Sequence, residues 1–177
     1  MEKFRRRKLE DEKEMNKVVI YQSGTGFTAK YADWIAQDLG CEAKEYKNVN
    51  PGELAGFDMV IYGGWIFGGM VVGYDKIKAC NLSNVVVFGV GMTVPSDEIA
   101  EKLSEQNQIP RDRFFYYEGG YNPKKLGIMK KIIVNMVKKS VEKKENKTAD
   151  DLHTLEIFKG ADRTNKEAIR GLVEYCR

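Results

Sequence analysis

Three hydroxyl side chains and two glycines crowd into six consecutive residues, Ser23-Gly24-Thr25-Gly26-Phe27-Thr28, directly after an apolar run, Val18-Val19-Ile20-Tyr21. That set of residue types holds an anion. Glycines let the backbone come close to a bound group, and the hydroxyls at Ser23, Thr25 and Thr28 donate to its oxygens. A helix opening at Ala29 adds unpaired N–H groups and the positive end of its dipole. A phosphorylated ligand is the first expectation, beside the plainer reading of a simple strand-to-helix turn.

Two further segments carry the same signature. Gly63-Gly64-Trp65-Ile66-Phe67-Gly68-Gly69 sets large apolar side chains among glycines, as needed to sandwich a planar ring and leave backbone amides free for its polar edge. Core packing of Trp65 and Phe67 at a strand end is the alternative. Gly89-Val90-Gly91-Met92-Thr93 offers a third backbone-rich loop for the ring's polar side. Other phosphate-binding patterns fit less well: no Gly-Lys-Ser/Thr ending follows the first loop, and the three spaced glycines with a later ribose-binding acid are absent. A phospho-receiver would need an aspartate where the chain has Tyr62-Gly63. No acid–base pair is evident, and the single histidine, His153, reads as a surface or strand-end residue.

Presenting these loops requires a particular set of elements. From Lys17 onward, apolar strand-like runs alternate with helical patterns, the rhythm of βαβ units. Strands are expected at Val18 to Tyr21, Glu42 to Tyr46, Met59 to Tyr62, Val85 to Val90 and Arg113 to Glu118. Helices are expected at Ala29 to Leu39, Tyr74 to Ala79 and Ser96 to Gln106, the last with Ser96 as N-cap, and a turn at Asn50-Pro51-Gly52. Met59 to Tyr62 and Val85 to Phe88 are continuously apolar, as in strands buried on both faces of a parallel sheet. Five such strands make a doubly wound α/β sheet, which binds ligands beyond the carboxyl ends of its strands. All three glycine-rich segments fall there.

Beyond the fifth strand, Pro123 to Lys147 reads as a long helix with Leu126, Met129, Ile133, Met136, Val137 and Val141 on one face. Between Lys124 and Lys147, nine lysines stand against two glutamates, a net charge of +7. A short strand at Thr154 to Phe158 and a last helix after Asp162-Arg163-Thr164 complete the expected pattern.

At 177 residues the chain suits one domain that removes roughly two-thirds of its unfolded surface from water. Residues 1 to 16 read as a charged arm, 17 to 177 as the domain, and 123 to 150 as a basic helical insertion within it. No apolar run approaches the ~20 residues of a membrane span. The basic start runs into Glu10-Asp11-Glu12 with no apolar stretch, unlike a secretory signal, so a cytoplasmic protein is expected. Cys41, Cys80 and Cys176 are too few and too far apart for a zinc pattern or a disulfide framework, and read as reduced thiols. The net charge of +3 is too mild to point to nucleic acid. The basic helix is either a solvated helix packed on its own domain or a face for anionic lipid or a partner protein.

The Ser23 to Thr28 loop resembles the FMN phosphate loop of flavodoxins, and the segments at Gly63 and Gly89 stand where that family grips isoalloxazine. This likeness covers 17 to 118. Arg111-Asp112-Arg113, Gly119-Gly120-Tyr121, the basic helix from Lys124 and Glu156-Ile157-Phe158 resemble the flavodoxin-like, menaquinone-dependent protoporphyrinogen oxidases. The resemblance implies a five-stranded parallel sheet of order 2-1-3-4-5, with the basic helix inserted after the fifth strand, and FMN as cofactor. It implies that Ser23, Gly24, Thr25, Gly26, Phe27 and Thr28 hold the phosphate, and that Gly64, Trp65, Ile66, Phe67, Gly68 and Gly69 flank the flavin. Gly89, Val90, Gly91 and Met92 complete the contact. A carbonyl at Gly68 or Gly69 would tune the flavin at N5, since a glycine peptide reverses its orientation cheaply. The implied function is an oxidoreductase passing electrons to a quinone or another redox partner, at the inner face of a membrane if the basic helix binds lipid. A non-catalytic electron carrier is the alternative; such carriers are typically acidic, whereas this chain is net positive.

Overall fold

The apolar runs fold as parallel strands in a computed structural model that describes residues 15–125 and 127–177. The expected charged arm lies outside the described residues, apart from Met15 and Asn16. The strands are β1 (Lys17–Gln22), β2 (Glu42–Glu45), β3 (Met59–Phe67), β5 (Val85–Gly91) and β6 (Phe114–Glu118), with a short β4 (Met70–Val71) attached to β3. The sheet runs β2-β1-β3-β5-β6 with every pair along that path parallel, which is the expected 2-1-3-4-5 order once β4 is set aside.

Alternation along each strand divides the core into two layers. Val18, Ile20, Val60, Tyr62, Val87 and Phe114 face one side, under α2 (Tyr74–Lys78) and α3 (Asp97–Asn107). Val19, Ile61, Val86 and Phe88 face the other, under α1 (Phe27–Leu39) and α6 (Arg170–Cys176). Ile20, Ile35, Ile61, Phe88 and Phe114 are fully buried, each contributing about 1.5–3 kcal/mol relative to exposure. Ser96 caps α3, its side chain accepting from the Ile99 N–H at 3.2 Å. The crossing from β2 to β3 uses two 3₁₀ turns, Tyr46–Asn48 and Pro51–Gly56, with Leu54 as their buried anchor.

Two expectations are corrected. Gly63 to Gly69 is not a loop: β3 runs on to Phe67, turns through Gly68 and Gly69 at φ of 58° and 81°, and returns as β4. Two successive positive φ values suit a tight hairpin whose twist matches its strands, which only residues such as glycine adopt readily. The second correction concerns Thr154 to Phe158, which is not a strand but part of helix α5 (Ala149–Ile157), after α4 (Ile128–Glu142). Thr148 and Asp151 form a reciprocal capping box, and the Lys144 ammonium, 2.6 Å from the Asp151 carboxylate, holds that carboxyl at about 2. The cap sets the backbone to helix before the β-compatible Thr-Leu-Glu-Ile-Phe is reached.

Gly63 lies inside β3, where a Cβ would collide with the Phe88 ring. Gly63→Ala should therefore cost about 1–3 kcal/mol through overpacking, read as a lower denaturant midpoint with an unchanged slope.

Candidate functional site

Parallel pairing aligns the ends of three strands. Gln22 of β1 is opposite Gly64 of β3, and Gly64 is opposite Gly89 of β5. The residues that follow each, Ser23 to Thr28, Trp65 to Gly69 and Val90 to Thr93, therefore emerge along one edge of the sheet.

The first loop ends at Gly26, with φ 105°, and α1 begins without a side-chain cap. Its first-turn N–H groups have no acceptor within the helix. The Gly26 N–H donates to Ser23 Oγ at 3.1 Å, which curls the loop into a cup and leaves the Ser23 proton to point elsewhere. Thr28 is 2% exposed, and its hydroxyl makes no hydrogen bond among the described residues. The Phe27 ring turns inward onto Gly119 and Gly120, so only its main chain serves the cup.

At the β3 hairpin the aromatic pair is brought together. Trp65 and Phe67 share one face of the strand with ring centroids 5.6 Å apart, and Phe67 is 46% exposed. Ile66 points to the opposite face and packs beneath Gly89, where its Cδ1 lies 2.7 Å from the place of a Cβ. The hairpin is stapled from α3: Gln106 Nε2 donates to the Gly68 carbonyl at 3.1 Å, and Asn107 Nδ2 to that of Gly69 at 2.9 Å. Asn107 Oδ1 also accepts from the Val71 N–H at 2.8 Å.

In the third segment, Gly89 and Val90 belong to β5, and the Val90 side chain is core. Gly91 and Met92 are half-buried at the strand end. Behind them the Tyr116 hydroxyl accepts from the Thr93 N–H at 3.1 Å and donates to the Thr93 carbonyl at 3.0 Å. Burial pushes the Tyr116 phenol well above its ordinary pKa, so it stays protonated and can make both bonds.

Comparison with known proteins gives a family model, the flavodoxin domain, matching residues 18–148. The chain belongs to the flavodoxin family. Flavodoxin 2 from Bacillus cereus is 21% identical over 58% of this chain and 84% of its own, with a TM-score of 0.42. An archaeal flavodoxin is 18% identical over 71% of this chain and 98% of its own, at 0.43. Two-electron reduced flavodoxin from Megasphaera elsdenii is 17% identical over 51% and 78%, at 0.40. At such identities and scores these likenesses add nothing to the domain match. No curated protein is similar enough to match.

FMN is the cofactor of the flavodoxin family, and the residues here fit it. The helix start without a side-chain cap and the Thr28 hydroxyl would suit the phosphate, and the half-buried Trp65 with the exposed Phe67 lies one strand away. Most of the other glycines are explained without a ligand: a Cβ at Gly89 would strike Ile66, and one at Gly91 would strike the Tyr116 hydroxyl. Gly68 differs, with nothing within 4 Å of a Cβ.

Several residues near this flavodoxin edge escape sequence reasoning. His153 is no isolated surface group: its Nε2 lies 2.6 Å from Glu118 Oε1 at the end of β6, both side chains about one-fifth exposed. Lys30 on α1 bonds Asp162 at 2.8 Å and Thr164 at 2.7 Å, while Asp162 bridges to Gly120, so the C-terminal segment clasps the first loop's helix. Burial opposes the Asp162 carboxylate, yet the bonds from Lys30 and Thr164 outweigh it and lower its pKa. Lys125 reaches the Gly26 cup. A lone histidine and scattered lysines carry no spacing signal that would have found these contacts. The expected reduced thiols are free, and burial pushes Cys176 up to about 12 and Cys41 upward, so neither is a nucleophile near neutrality. Among the described residues no cluster of metal-ligating side chains occurs, and no helix is long and apolar enough to cross a membrane.

Gln106→Ala should release the hairpin tip. Amide exchange at Gly68 to Met70 is expected to rise several-fold while the melting temperature moves little, because Asn107 keeps its own bonds.

Proposed function

We propose that this flavodoxin-family protein is an FMN-dependent oxidoreductase of the protoporphyrinogen dehydrogenase type, delivering electrons to a quinone. The observation that carries the cofactor site is the uncapped start of α1 at Gly26, with the Thr28 hydroxyl spare beside it. Ser23, Thr25 and Thr28 would hold the phosphate together with the main chain of Gly24, Gly26 and Phe27. Trp65 and Phe67 would flank the ring, and the main chain of Gly68, Gly69, Gly91 and Met92 would meet its edges. FMN, when bound, supplies reversible uptake of electrons, which side chains alone do not provide. The residues of the chain would fix its orientation and shield one face from water.

The basic insertion supports an acceptor at a lipid surface. On α4, Ile132 is 52% exposed, Met136 67% and Val137 42%, among exposed lysines such as Lys131 and Lys139. An apolar strip edged with ammonium groups suits the interface of an anionic membrane, where a quinone is found. A second reading, an electron carrier docking a protein partner, is favoured by the hairpin tip, where Phe67 is 46% and Met70 47% exposed.

Titration of the purified protein with FMN should quench flavin fluorescence with micromolar affinity or better, and Thr28→Glu should weaken binding at least tenfold by setting a carboxylate against the phosphate. Absence of FMN binding to the wild type would remove both redox readings. Protoporphyrinogen turnover with a menaquinone analogue, with and without anionic vesicles, separates enzyme from carrier. The enzyme reading expects turnover that anionic vesicles accelerate and neutral ones do not; bound FMN without turnover returns the carrier.

A further inference from the structure

We propose that Lys125 is a positioning residue for the cofactor phosphate, a cation brought to the Ser23 to Thr28 cup from the segment after β6. The inference rests on FMN occupying that cup. Lys125 Nζ lies 3.5 Å from the point where a Cβ of Gly26 would stand. Glycine at 26 adopts φ 105° without strain, and the Lys125 ammonium stands within van der Waals reach of the turn that this glycine makes.

Among the described residues the Lys125 side chain makes no hydrogen bond or ion pair. Lys30 is also close to the cup, one turn into α1, but it is engaged by Asp162 at 2.8 Å and Thr164 at 2.7 Å. The two lysines thus have separate tasks. Lys30 ties α1 to the C-terminal segment, whereas Lys125 is uncommitted.

The backbone that carries Lys125 is fastened on both sides of Asn122. The Tyr121 N–H donates to the Ala161 carbonyl at 3.0 Å, and the Tyr121 ring meets Phe158 edge to face at 5.4 Å. The Lys124 N–H donates to Asn122 Oδ1 at 3.1 Å and the Lys125 N–H to the Asn122 carbonyl at 3.2 Å, closing the 3₁₀ turn Pro123–Lys125. Since Asp162 holds both Gly120 and Lys30, this turn and the start of α1 are anchored to the same segment. The lysine stem is flexible, but its root is fixed beside the loop.

A phosphate monoester carries about −1.5 to −2 at neutral pH, with a second pKa near ~6. Hydroxyls and N–H groups solvate such a dianion without neutralising it; an ammonium offsets one unit of its charge. The consequence is selective. Lys125 strengthens FMN binding, leaves riboflavin untouched, and makes the difference depend on salt and on ionisation of the phosphate.

The test is flavin fluorescence titration of the cofactor-free protein with FMN and with riboflavin, at low and high salt and from about pH 7.5 to about pH 5. Lys125→Gln should weaken FMN binding by about tenfold, equivalent to about 1.4 kcal/mol, with riboflavin affinity unchanged. Its FMN affinity should also respond less to salt and pH than the wild type. Lys125→Arg should recover most of the loss, and Lys143→Gln, at the far end of α4, should match the wild type. If FMN is preferred over riboflavin yet Lys125→Gln keeps wild-type affinity and salt response, the role of Lys125 is overturned and the cofactor site stands. If the wild type binds FMN and riboflavin equally, or neither, the phosphate cup itself is wrong and Lys125 falls with it.

Discussion

The parallel register that sets Gln22, Gly64 and Gly89 side by side is the constraint on which the site depends. In a parallel ladder every strand leaves the sheet at the same edge, so three segments far apart in the chain end in one row. Burial on both faces maintains the register. A one-residue slip of β1 would exchange Val18 and Ile20 with Val19 between two layers that are packed with different partners. The Ser23 to Thr28 loop, the aromatic pair and the Tyr116-held loop owe their proximity to this row rather than to direct contacts among themselves.

Glycine serves different physical ends along that edge. At Gly26, and at Gly68 with Gly69, the backbone adopts positive φ, and the chain turns where another residue would be strained. At Gly63, Gly89 and Gly91 the side chain is missing because Phe88, Ile66 and Tyr116 occupy its place. These two uses look alike in a sequence. Among these glycines Val90 is a core side chain, and Ile66 and the Phe27 ring are partly buried against the two core layers.

The region after β6 was least legible. A basic amphipathic helix was recognisable from lysine spacing, and α4 lies within that stretch. The strand expected at Thr154 to Phe158 is a helix, because the capping box at Thr148 and Asp151, strengthened by Lys144, outweighs local β preference. The local signal is a threonine followed three residues later by an aspartate, which starts a helix ahead of the apolar run. The Lys30–Asp162 clasp, the His153–Glu118 pair and the approach of Lys125 to Gly26 had no local signal at all, since each joins residues from different elements.

By itself the sequence determined the parallel α/β class, because apolar runs alternating with helical patterns are local chemistry, whereas the strand order came only with the resemblance of its glycine-rich segments to the flavodoxins. Only the tertiary structure decided which glycines make room for packing and which for a turn, which aromatic rings stay exposed, and which lysine stands over the cup. Those outcomes depend on where a side chain's neighbours lie in space, and contacts between distant segments form only when the sheet has set its register and the C-terminal segment has closed over α1.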